Sequence, residues 1–184
     1  MTFLELIKKF PYEESCVNYY LKIRYPQGVH CNHCGSPKTY QRKGNLKLFD
    51  CKDCFNTFSP FKDTIFEKSS TDLRKWFYAI HLFLNGKKGI SALQLQRKIG
   101  VTYKTAWRML HQIVQLWVMH HKRVLRYNHT NTIESFWATL KRGVYGIYHH
   151  VSVKHMQAYV DEFCFRYNNR GLNMFDMVLM QAKL

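Results

Sequence analysis

Residues 31–54 read CNHCGSPKTYQRKGNLKLFDCKDC. The stretch opens with Cys31-x2-Cys34 and closes with Cys51-x2-Cys54. Each C-x2-C knuckle turns two sulfurs to one side of a tight bend, and two knuckles complete a tetrahedral S4 set for Zn²⁺. Gly35 follows the first knuckle, where such a turn needs positive φ. Between the knuckles two short strand-like runs flank Gly44 and Asn45, which predicts a β-hairpin.

So short a segment buries too little apolar surface to fold alone. Structural zinc supplies on the order of 10–16 kcal/mol in small fingers, enough to decide folding. Four thiolates leave no open coordination position, so the ion is structural. The unit resembles a zinc ribbon, over residues 28–68. His30 and His33 flank the first knuckle as surface residues, and Cys16 and Cys164 are expected as buried apolar residues.

Outward from the ribbon, the charge is the next signal. The chain of 184 residues carries 28 Lys+Arg against 12 Asp+Glu, a net charge of +16. Such an excess costs self-repulsion on folding and points to a polyanionic partner. It is also uneven: no acid occurs between Asp72 and Glu134, an interval with eleven Lys or Arg. The opening MTFLELIKKF places Glu5 early and Lys8–Lys9 after the apolar residues, the wrong order for a secretory signal. No apolar run reaches the ~18–20 residues of a spanning helix. A cytoplasmic protein without a membrane partner is expected, in which cysteines bind metal rather than form disulfides.

Residues 1–27 read as an N-terminal helical segment, and 70–120 as three helices. Ser70 or Thr71 is the candidate cap of the first, which runs through Leu73, Trp76, Phe77, Ile80 and Leu84. GKKG breaks the chain at 86–89. Ser91 is placed to cap the second helix, Gly100 to end it and Thr102 to cap the third. The third carries the apolar stripe Ala106, Met109, Leu110, Ile113 and Trp117. A short helix, a Gly turn and a longer helix describe a helix-turn-helix, whose second helix enters the major groove. Its opening turns present Tyr103, Lys104, Thr105 and Arg108. Lys104 and Arg108 share a face with no acid to neutralise them. Arg108 is the candidate for a guanine edge, and Lys104, Lys87 and Lys88 for phosphates of double-stranded DNA.

Residues 129–143, HTNTIESFWATLKRG, repeat Ile133, Phe136, Trp137 and Leu140 at amphipathic helical spacing. Asn131 as N-cap would put Glu134 at the third helical position, a capping-box arrangement. Gly143 is placed to end this helix. Lys141 and Arg142 in its last turn suit phosphate or the helix dipole. A further helix over about 152–169 carries Val153, Met156, Tyr159, Val160, Phe163 and Cys164.

Three stretches carry a resemblance to a known family: FPYEESCVNYYLKIRYPQGVHCNHCGS (10–36), TIFEKSSTDLRKWFYAIHLFLNGKKGISALQLQRKIGVTYKTAWRMLHQI (64–113) and HTNTIESFWATLKRGVYGIYHHVSVKHMQAYVDEFCFRYNNR (129–170). The chain resembles the zinc-ribbon transposases of bacterial insertion sequences, those with an ISXO-like transposase domain. The resemblance implies a DDE nuclease and strand-transfer core of RNase H-like fold, with Mg²⁺ held by two aspartates and a third acid. It aligns Glu134 with the third acid and puts His129 and Asn131 in the same motif.

The family places the two aspartates and most of the sheet between the helix-turn-helix and the HTN-x-IE motif. Here the interval between Trp117 and Asn128 reads VMHHKRVLRY, with no acid. So short a run cannot build a multi-stranded sheet when one strand takes about 5–6 residues. Two-metal phosphoryl chemistry needs several carboxylates. The expected architecture is therefore mainly α with a small β zinc ribbon: N-terminal helices, ribbon, helix-turn-helix, and over 121–184 a C-terminal αα-hairpin left from the core. That hairpin must dock on the third helix near Ile113–Trp117 or pair with another copy to cover its apolar face. The expected function is binding of element terminal repeats without strand transfer by this chain alone. A homodimer or an intact related transposase is the expected protein partner. Two alternatives stand beside it: a Mg²⁺-dependent transposase with unusual acids around Glu134, and a zinc-ribbon adaptor that binds a protein.

Overall fold

The structure, a computed structural model, describes residues 2–86, 89–120, 130–148 and 151–182. It divides into two compact units, one formed by residues up to Phe77 with Ala182 and one by Tyr78–Gln181.

The first unit starts with α1 (Phe3–Lys9) and α2 (Glu13–Arg24). Thr2 and Glu5 form a reciprocal capping box on α1. The ribbon follows as a three-stranded antiparallel sheet, β1 (Thr39–Gln41), β2 (Phe49–Cys51) and β3 (Thr57–Phe58), in the order β1-β2-β3. Thr39 pairs with Cys51 and Gln41 with Phe49, so the expected hairpin forms around Gly44. The third strand had no signal in the sequence, since two residues offer no alternation to read. It exists because Phe49 and Phe58 sit opposite each other and are both buried.

Aromatic packing makes this unit's core. Tyr20 stacks on Phe61 at 5.2 Å between centroids, and Phe66 meets Trp76 edge-on at 5.5 Å. Ile65 donates its N–H to the carbonyl of Ala182, 3.1 Å away, which ties the chain's far end into the unit. Cys16 is buried among these residues, as expected.

Helix α3 (Leu73–Asn85) begins in this unit and ends in the second. Its expected apolar residues, Leu73, Trp76, Phe77, Ile80 and Leu84, are all buried. Its cap differs from the expectation. Neither Ser70 nor Thr71 caps it; the Leu73 N–H donates to Oε1 of Glu13 at 3.0 Å and the Arg74 N–H to Oδ1 of Asp72 at 2.7 Å. Glu13 also pairs with Lys47 at 3.4 Å, so one carboxylate joins α2, the ribbon and the start of α3.

In the second unit, α4 (Ala92–Ile99) and α5 (Tyr103–His120) form the expected helix–turn–helix pair. Ser91 and Gln94 make a capping box, and Gly100 ends α4 in the left-handed region at φ +62°. Oγ1 of Thr102 accepts the Thr105 N–H at 3.3 Å and so caps α5. Ala106, Met109, Leu110 and Ile113 are buried, while the Trp117 side chain lies outside the described residues.

The rest of the unit is α6 (Thr130–Gly143), a π-helical stretch (Val144–Tyr148), α7 (Val153–Asn168) and α8 (Met174–Met180). Phe136 and Leu140 of α6 pack on Phe163 and Cys164 of α7 in one buried cluster. Helix α7 lies along α5, so the hairpin covers itself by docking on the third helix of the helical region. Helix α7 buries more than the expected face, with Phe163 and Cys164 covered as expected. Val153 is 92% exposed, whereas Ala158, Glu162 and Phe165 are buried. Helix α8, absent from the sequence reading, buries Phe175, Val178 and Leu179. The fold is mainly α with a small β ribbon. No helix among the described residues is long and apolar enough to cross a membrane.

Candidate metal centre and nucleic-acid interface

The two knuckles converge. The Sγ atoms of Cys31, Cys34, Cys51 and Cys54 all lie within 4.8 Å of one another. Cys31 and Cys54 are 3.6 Å apart, as are Cys34 and Cys51. Tetrahedral zinc with Zn–S bonds of about 2.3 Å sets sulfurs about 3.8 Å apart, so the cluster fits that ion. Backbone geometry holds the sulfurs in place. The Gly35 N–H donates to the Cys31 carbonyl at 2.9 Å with Gly35 at φ +72°, and the His33 N–H points at the Cys31 sulfur at 3.4 Å. Phe55 occupies the same place after the second knuckle and also takes a positive φ, +55°. A non-glycine residue bears that strain because the knuckle requires the turn.

The acids beside the knuckles serve the scaffold. Asp50 accepts from Arg42 at 2.9 and 3.0 Å and from Thr57 Oγ1 at 2.6 Å. Asp53 accepts from Ser36 Oγ at 2.6 Å and pairs with Lys38 at 3.4 Å. The Thr57 and Arg42 hydrogen bonds hold the Asp50 carboxyl below the usual range, and Ser36, with Lys38 behind it, does the same for Asp53.

On the helical unit, Lys104 and Arg108 are exposed on one face of α5, and neither has an ion-pair partner among the described residues. Tyr103 is 53% exposed beside them. Thr105 is half-buried, and its hydroxyl lies 2.9 Å from that of Thr102, within the cap. Lys87 and Lys88 lie outside the described residues. Lys141 and Arg142 are exposed in the last turn of α6, where Arg142 donates to Thr139 Oγ1 at 3.2 Å.

Glu134 is exposed on α6. The helix already includes Thr130, so Asn131 falls inside it and Glu134 lies beyond its first turn. The capping-box expectation for Asn131 and Glu134 is thus corrected. His129 lies outside the described residues. All the chain's acids are among the described residues, and the four cysteines are the one group there of three or more close metal-binding side chains. The donor set around Glu134 does not fit a pair of Mg²⁺ ions, which needs several carboxylates.

One feature of α5 escaped the sequence reading. Trp107 is 53% exposed and stacks on His111 at 5.1 Å and 5°, and His111 meets His155 of α7 edge-on at 4.8 Å. The signal was present: Trp107 falls outside the apolar stripe of α5, four residues after Tyr103. Burial pushes the His111 imidazole below its usual range, and His155 and Lys154 push it the same way.

Residues 11–57 match the family described as transposase zinc-ribbon domain, and residues 102–168 the family described as ISXO2-like transposase domain. Among known proteins the chain is 35% identical over 112 residues to one named as an uncharacterized protein in transposable element ISH50, from Halobacterium salinarum. That alignment takes in 59% of this chain and 37% of the relative, so the chain spans little more than a third of the relative's length. No solved structure matches.

Proposed function

We propose that the chain is a protein of the zinc-ribbon, ISXO2-like transposase family, whose two domain models it matches, and that it binds the DNA of element ends without itself completing strand transfer. The observation that carries this reading is the bare Lys104–Arg108 pair at the start of α5. Two cations one turn apart, uncompensated by any acid and set on the second helix of a capped helix–turn–helix, favour duplex DNA. Arg108 reads a base edge, and Lys104 with Lys87 and Lys88 neutralises phosphate. Lys141 and Arg142 add a second cationic point on α6. The ribbon, over 28–68, is held by structural Zn²⁺.

The missing activity follows from the acids. Glu134 lacks the two aspartates that the family resemblance requires, and no cluster of carboxylates replaces them. Such a chain would compete with an intact related transposase for the same terminal repeats.

The test is binding of the zinc-loaded protein to a terminal-repeat duplex across a salt series. Each phosphate neutralised adds about 0.9 to the log–log slope, so a steep fall in affinity is expected. An affinity indifferent to salt would remove the reading. Mg²⁺-dependent cleavage of that duplex, abolished by Glu134→Gln, would replace it with the active enzyme.

A further inference from the structure

The second unit holds an open cleft of about 740 Å³ bounded by the start of α4, one face of α5 and the start of α7. That volume is in the range of small-ligand sites, ~300–1,000 Å³. Its α5 wall is made by Tyr103, Trp107 and His111, and His155 and Tyr159 face them from α7. No carboxylate lines it. We propose that this cleft is a stacking site for an unpaired nucleobase at a DNA end, with Trp107 as its platform.

Three observations converge. First, the indole is not core: Trp107 and Tyr103 are each 53% exposed, one turn apart, on the helix that bears Lys104 and Arg108. A large aromatic surface left open beside cations is the composition of a single-strand site, where bases stack on rings while the backbone follows positive charge. Second, the platform is pre-set. The parallel stack with His111, and the edge contact of His111 with His155, fix the indole before any base arrives. Third, polar side chains line the cleft beside the aromatic wall. The capping box uses Oε1 of Gln94, which leaves its amide N–H₂ to donate. Ser152 lines the cleft and its hydroxyl makes no capping bond to α7, and exposed Lys154 follows two residues later.

The charge selects the occupant. Lys104 and Arg108 directly follow the lining residues Tyr103 and Trp107 on α5, and Lys154 directly precedes His155 on α7. All three are exposed, no carboxylate lines the cleft, and the chain's net charge is +16, which fits a phosphodiester strand. The proposal rests on the DNA reading of α5 given above and adds the strand form that α5 meets.

The experiment uses the full zinc-loaded chain and three fluorescent probes: a blunt duplex, the same duplex with a short single-stranded thymidylate overhang, and a free thymidylate oligonucleotide. The overhang is expected to bind about tenfold tighter than the blunt duplex, the size of one base–aromatic stack. Trp107→Leu should erase that preference with little change for the blunt duplex, and Trp107→Phe should keep most of it. Quenching of tryptophan emission by the free oligonucleotide should vanish in Trp107→Leu. Equal affinity for blunt and overhanging probes would overturn the proposal, as would a Trp107→Leu loss shared equally by both or quenching that survives the substitution. Failure of the duplex reading looks different: the blunt probe would not bind, whatever the overhang does. Because the indole is half exposed, its removal leaves the core intact, and an unchanged thermal midpoint checks this.

Discussion

Arg166 grips the end of α3: its Nη1 donates to the Phe83 carbonyl at 3.1 Å and also reaches the Gly86 carbonyl. The same guanidinium pairs with Glu162 one turn back on α7, and Glu162 is wholly buried. It lies over the rings of Phe83 and Phe163, 4.8 and 5.2 Å from their centroids. Burial pushes the Glu162 carboxyl up, and Arg166 pulls it back. A buried pair of this kind costs little while intact and much when halved.

Arg166→Met should therefore destabilise the chain by about 3–5 kcal/mol, because it strands a buried carboxylate. The double variant Glu162→Leu/Arg166→Met should recover part of that. It cannot recover all, since the Phe83 and Gly86 carbonyls lose a donor, worth about 1–3 kcal/mol. Urea unfolding of the three proteins measures both. An Arg166→Met midpoint equal to the parent would show the pair to be idle.

Zinc should decide the state of the ribbon. A strong chelator at neutral pH is expected to melt residues 28–58 while the far-UV helix signal of α4–α7 persists. Cys31→Ser should lower bound zinc below one ion per chain, because three thiolates leave a coordination position open. Metal analysis and amide exchange across the ribbon give the readouts. Protection of β1 and β2 unchanged by the chelator would contradict the role assigned to the ion.

Acidification should loosen the second unit. His111 sits below its usual range for burial, for His155 and for Lys154, all of which resist a charged ring. A depressed folded value means that its stabilisation is present above the unfolded value of about 6.5 and is lost as pH falls through the folded one. The thermal midpoint should drop from pH 7 toward pH 5, and His111→Gln should flatten that slope. An identical slope in the variant would assign the effect elsewhere.

Arg108→Ala is expected to relax preference among duplex sequences, with about 1–3 kcal/mol lost on the best site. Lys104→Ala should weaken all duplexes alike and reduce the salt slope by about 0.9. Competition binding against a randomised duplex separates the two. Equal, sequence-blind losses from both would reduce the site to a phosphate-binding face.

Features fixed by short-range chemistry were legible from the order of residues. Two C-x2-C knuckles specify an S4 cluster because their sulfurs are set by turns a few residues long. Ser91, Gly100 and Thr102 delimit their helices because a cap bonds within three or four residues. Glu134's isolation from other acids was legible too, since the acids can be counted. Features fixed by burial between distant residues became visible only in the folded chain. Glu13 caps α3 from sixty residues away. Helix α7 buries Phe163 and Cys164 against α6, as its apolar spacing predicts, but Ala158, Glu162 and Phe165 are buried as well and Val153 is left in solvent, which the spacing did not show. Strand β3 and helix α8 are too short to show a period, and each exists through the surface it covers. Trp107 followed the same logic: its place outside the stripe was visible in sequence, but only the packing of α7 made that place the wall of a cleft.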